Sequence, residues 1–79
     1  MKTTNISVIS EFDYFDGEEF ITFDALNIDC EKLIIRLAIT SRGKIRVVDY
    51  DLKYDNELLY FEYGLYNEKI YLFEFSNVA

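Results

Sequence analysis

The chain has no proline, no histidine and no tryptophan, a single cysteine and only three glycines in 79 residues. Each shortage removes a class of function or a way of holding the fold. Without histidine, the one thiol of Cys30 cannot build a structural zinc site, and the commonest general base is missing. A lone cysteine also forbids an internal disulfide, so a reducing, intracellular setting is expected. Only Lys32 offers Cys30 a basic neighbour, while Asp29 and Glu31 flank it, and the residue reads as a spectator. No window holds the run of about 18 uncharged apolar residues that a membrane span needs. Ser, Asn and Glu interrupt the opening MKTTNISVISEF, which excludes a signal-peptide core. A soluble, cytoplasmic protein is expected. The lack of proline leaves strand edges without a common blocker, so a second chain could pair with them.

What remains to hold the fold is apolar burial. The composition is 51% hydrophobic, with seven Phe and seven Tyr, which excludes disorder and fits one domain over residues 1–79. Period-two alternation from Leu33 to Thr40 marks a strand, and Arg42-Gly43 reads as a two-residue loop. That loop sets Leu37 opposite Val48, Ile35 opposite Tyr50 and Arg36 opposite Asp49. Asp55-Asn56 as the next loop pairs Tyr50 with Phe61 and Val48 with Tyr63. A turn over Gly64 to Glu68 then pairs Phe61 with Phe73 and Leu59 with Phe75. Asp16-Gly17 as a hairpin loop pairs Phe12 with Ile21, Ser10 with Phe23 and Val8 with Ala25, giving strands near Asn5–Phe15 and Glu18–Leu26. The fold expected is all-β, an antiparallel meander of about five to six strands forming a curved sheet or small barrel-like domain. An α+β alternative places one short helix at 24–32, capped by Asp24.

Charge is distributed unevenly. Residues 11–31 hold eight acids and no base, residues 32–79 hold seven of each, and Lys2 brings the net charge to −7. In the stretch EFDYFDGEEF, Glu11, Asp13, Asp16, Glu18 and Glu19 are interleaved with Phe15 and Phe20. With Asp24 and Leu26 they define one acidic, aromatic-studded surface. A second set, Asp49, Asp51, Glu62 and Glu74, is expected on the non-core face of the meander, with Arg36 as its partner. That face is also expected to carry Ile34, Val47, Leu58, Tyr60, Ile70 and Leu72. So much exposed apolar area implies a cover, either a partner or a second copy.

Catalysis and cofactor binding find little support. Aligning Gly17 with the glycine of a calcium loop puts Phe12 and Phe23 at ligand positions, so the match fails. The three glycines sit in separate turns and make no phosphate loop. Direct nucleic-acid binding needs clustered cations, and Arg42, Lys44 and Arg46 at a hairpin tip are the one basic spot. The expected role is a non-enzymatic inhibitor, free of metal and cofactor, that binds a protein with a basic surface, such as a nucleic-acid-binding protein, and occludes its groove. Homodimerisation is a further expectation. In size, acidity and lack of catalytic residues the chain resembles, in type, the small acidic inhibitors of phages, including anti-CRISPR proteins and DNA mimics. No motif carries that resemblance, so it assigns no residue a role. An immunity or antitoxin-like protein neutralising a basic toxin, or a self-assembling structural protein, would show the same surface.

Overall fold

The alternating stretches become strands. In the computed structural model, which describes residues 8–77, β1 (Ser10–Phe15), β2 (Phe20–Asp29), β3 (Ile34–Ser41) and β4 (Lys44–Asp51) run as successive hairpins. With the two-residue β8 (Ser76–Asn77) they form a five-stranded antiparallel sheet in the order β4-β3-β2-β1-β8. A second sheet, order β5-β6-β7, consists of β5 (Lys53–Asp55), β6 (Leu58–Tyr63) and β7 (Glu68–Tyr71). The sheets pack face to face without closing into a barrel. The chain passes between layers at Leu52, which is buried and donates its N–H to the Leu33 carbonyl at 2.8 Å.

Packing follows from the alternation. On one face of the larger sheet Ile21, Phe23, Ala25, Ile35, Leu37 and Ile39 are all buried. Phe61 and Ile70 reach them from the smaller sheet, and Phe75 closes one side. Phe23 is fully buried at the middle, edge-on to Phe61 and Tyr63 with ring centroids at 5.8 and 4.9 Å. Edge-to-face contacts of this kind add to the area term of aromatic burial.

The β3–β4 hairpin has the expected register, with Leu37 opposite Val48, Ile35 opposite Tyr50 and Arg36 opposite Asp49. Arg42 and Gly43 take φ of 54° and 76°, as a primed two-residue turn requires. The helix expected as an alternative at 24–32 does not form. β2 continues to Asp29 with a bulge at Leu26, because the alternating Ile21, Phe23 and Ala25 fill the core face, and Asp29 then accepts the Glu31 and Lys32 N–H groups at 3.0 Å to turn the chain. In the first hairpin the loop is Asp16–Glu19 rather than Asp16-Gly17 alone, so Phe12 faces Phe23 and Ser10 faces Ala25. This shift of two residues preserves which side chains face the core. Of the strand expected near Asn5–Phe15, the part before residue 8 lies outside the described residues.

The remaining turns depart further. Tyr50 does not ladder with Phe61, because β4 and β6 lie in different sheets, yet their rings meet across the layers at 5.2 Å. The loop after β5 is Asn56-Glu57, not Asp55-Asn56. After β6, Phe61 pairs with Ile70 rather than Phe73. That odd shift moves Ile70 into the core and leaves Phe73 68% exposed, until the 3-10 turn Leu72–Glu74 resets the phase and returns Phe75 to the interior.

Glu57 is held at φ 73° in the primed turn, where glycine is the favoured residue. Glu57→Gly is expected to stabilise the protein by about 1 kcal/mol, the left-handed penalty less the extra chain entropy of glycine. Thermal unfolding should show a melting temperature higher by roughly 5 °C; an unchanged or lower value would contradict the turn geometry.

Candidate functional site

The smaller sheet covers only one face of the larger. On the opposite face, the ladder pairing sets Glu11 opposite Asp24 and Asp13 opposite Thr22, so three carboxylates crowd two neighbouring strands. Directly opposed residues lie about 5 Å apart and next-but-one residues of a strand roughly 7 Å apart. Thr22 donates its hydroxyl to Asp13 at 2.9 Å. Among the described residues, none of Glu11, Asp13 and Asp24 has a salt-bridge partner. Partial burial, followed by the charges of Glu11 and Asp13, raises the Asp24 pKa. Among the described residues no such group is arranged to hold a metal ion, so the trio is a charged surface and not a chelate.

Apolar groups frame the acids. Across β2 and β3, Asp24 faces Ala38, which is 1% exposed although it lies on the open face, and Ala38 faces the exposed Val47 of β4. Ile45 is exposed two residues before Val47. At the hairpin end Phe15 and Phe20 are direct ladder partners with ring centroids at 5.0 Å, 52% and 68% exposed. Val47 was expected on the non-core face with the second acidic set, whereas Ala38 and Ile45 were not singled out in sequence. The signal was the alternation that puts Ala38 and Val47 on the non-core side of their strands.

The other acids expected at the site occupy different places. Asp16 lies in the β1–β2 loop and accepts the Glu18 and Glu19 N–H groups at 2.8 and 2.9 Å; hydrogen bonds from Glu19 and Glu18 lower its pKa. Glu19 accepts from Arg42 at 3.2 Å and from Ser41 at 3.0 Å, while Glu18 lies 3.9 Å from Arg42. The second acidic set does not share a face. Asp49 accepts two hydrogen bonds from Arg36, at 2.9 and 3.2 Å, and that contact lowers its pKa. Asp51 ends β4 opposite Ile34. Glu62 belongs to the smaller sheet and pairs with Lys53 at 2.9 Å, and Glu74 in the 3-10 turn accepts the Tyr71 N–H at 3.2 Å. Of the apolar residues expected on the non-core face, Val47 and Leu58 are exposed, whereas Ile70 and Tyr60 are buried.

Asp24 and Asp49 therefore make opposite contributions to stability. The raised pKa of Asp24 means that its ionised form costs stability, fully so above its folded pKa, and that the cost disappears as pH falls below the ordinary value of 3.8. Asp49, with a lowered pKa, contributes stability above 3.8 that is lost as pH falls through its folded value. Asp24→Asn is expected to stabilise the protein at pH 7 by about 0.5 kcal/mol after solvent screening, and to be neutral near pH 3. Asp49→Asn should destabilise it at pH 7. Denaturant titrations from pH 3 to pH 7 check both signs, and a loss of stability in Asp24→Asn at pH 7 would contradict the repulsion described for the trio.

No protein-family model matches the chain, and neither curated proteins nor solved structures include a similar one, so any functional reading rests on the geometry of this face.

Proposed function

We propose that the protein is a non-catalytic inhibitor that presses the open face of its larger sheet onto the basic, nucleic-acid-binding surface of another protein. The observation that carries this reading is the trio Glu11, Asp13 and Asp24, none of which has a cation within ion-pairing distance among the described residues. A basic partner would supply one. Carboxylates roughly 7 Å apart along a strand repeat on the scale of phosphates along a nucleic-acid strand. Such a surface steers a cationic groove into place and competes with phosphate for it. Phe15, Phe20, Ile45 and Val47 supply the apolar area that charge alone does not provide, and aromatic residues are the usual anchors of protein contacts. Asp49, Glu19 and Glu62 have cations of their own and contribute less to the attraction. An occluding inhibitor of this kind suits the anti-defence role of phage proteins that imitate DNA, and it needs neither metal nor cofactor.

The test is affinity capture from a bacterial lysate with the wild-type protein and with the triple variant Glu11→Gln, Asp13→Asn, Asp24→Asn. The expected result is a nucleic-acid-binding protein retained by the wild type, lost from the folded triple variant, and displaced by duplex DNA. Capture that the triple variant keeps, or that DNA does not displace, would overturn the proposal.

A further inference from the structure

We propose that the recess between the β1–β2 loop and the β6–β7 hairpin binds the guanidinium group of an arginine side chain presented by another protein. Tyr14 and Asp16 line it from the first hairpin of the larger sheet, and Tyr63, Tyr66 and Glu68 line it from the smaller sheet, around a cavity of about 300 Å³. Glu68 is the ladder partner of Tyr63, so the two side chains share a face. Tyr63 meets Tyr14 edge-on across the layers, with ring centroids 6.0 Å apart and planes at 79°. Two phenol rings close to a right angle make two walls of an aromatic cage, and Tyr66 on the hairpin tip stands beside them as a third.

Charge and ring chemistry together select the occupant. Neither Asp16 nor Glu68 has a cation within ion-pairing distance among the described residues. Asp16 spends one oxygen, Oδ1, on the Glu18 and Glu19 N–H groups, which leaves Oδ2 for a ligand. The cations nearest in sequence or space are used elsewhere: Lys69 holds its Nζ 5.1 Å from the Tyr60 ring centroid, and Arg42 binds Glu19. The field of the two carboxylates reaches the cage, since after burial the charges of Glu68 and Asp16 raise the Tyr14 pKa. Among the described residues no group is arranged to hold a metal ion. A guanidinium fits the combination, because it is planar and weakly hydrated, stacks on aromatic faces and offers several N–H groups to carboxylates. A lysine ammonium is compact and strongly hydrated, and gives up more on leaving water. Leu65, 95% exposed, and Tyr66, 88% exposed, make an apolar rim at the mouth. A protein surface covers that rim and a free guanidinium compound does not, which identifies the source of the cation.

This recess lies off the open face and stands independently of the proposed function. The test is an NMR titration of the labelled protein with the capped peptide acetyl-Gly-Arg-Gly-amide. Binding in the millimolar range is expected, with amide shifts centred on Tyr14, Asp16, Tyr63 and Glu68. The lysine and the uncharged citrulline versions of the peptide should bind about tenfold more weakly. Glu68→Gln is expected to weaken the arginine peptide about tenfold and Tyr66→Ala about threefold, each with an unchanged circular dichroism spectrum. Glu11→Gln with Asp13→Asn and Asp24→Asn should leave its affinity within about twofold, because those charges belong to a different face. Ethylguanidinium tests the source: binding no tighter than that of the peptide supports a protein-borne arginine, and binding more than about tenfold tighter would assign the recess to a free cation and overturn the proposal. Equal affinity for the lysine peptide, a Glu68→Gln variant of wild-type affinity, or shifts centred on Glu11, Asp13 and Asp24 would each overturn it as well.

Discussion

The packing of Phe23 against Phe61 and Tyr63 is the contact on which the architecture depends. Phe23 lies midway along the second strand of the larger sheet, and its ring is also within reach of Phe12, Tyr14 and Phe75. A chain this short has no disulfide or histidine-bearing metal site to stiffen it, so the aromatic layer between the sheets must supply the burial that offsets chain entropy. Among the described residues there are only two layers, so the smaller sheet seals one face of the larger and no element packs on the other. The asymmetry of the surface is thus a consequence of how the core was filled.

Electrostatics set two groups apart among the acids of this protein. Asp49, Glu19 and Glu62 each have an Arg or Lys within ion-pairing distance, and Asp16 and Asp29 are used to turn the backbone. These carboxylates are committed to the fold. Glu11, Asp13 and Asp24 are not, and they stand on the face that the core leaves uncovered. Exposed ion pairs contribute little to stability, whereas like charges facing one another across a ladder detract from it. A surface that costs stability in this way is the natural place to look for binding.

Sequence alternation revealed the all-β class and, at the β3–β4 hairpin, the pairing itself, because local turn chemistry and side-chain period agreed there. The Arg42-Gly43 loop, with glycine at a position that requires positive φ, determined the β3–β4 register to the residue. Two features escaped the same reasoning. The passage at Leu52 is one buried residue without a turn signal, so a change of layer looked like a continued meander. The 3-10 turn at Leu72–Glu74 shifts the phase of the last strand, and a two-period reading carried through it exchanged Ile70 for Phe73 in the core. Of the site, the acids of the first hairpin were visible as a run without a base. That Arg42 folds back to within 3.2 Å of Glu19 was not, since the pair is separated by 23 positions in the chain.

The central claim is that attraction for a basic partner is localised on the open face of the larger sheet and is not a property of the net charge. Titrating the isotopically labelled protein with a short oligolysine peptide, and following backbone amide shifts by NMR, measures this directly. The account predicts shifts concentrated at Glu11, Asp13, Thr22, Asp24 and Val47, with Lys53, Glu62 and Lys69 of the smaller sheet unmoved. Shifts spread evenly over the exposed acids, with Glu57, Glu68 and Glu74 responding as strongly as Asp24, would contradict it.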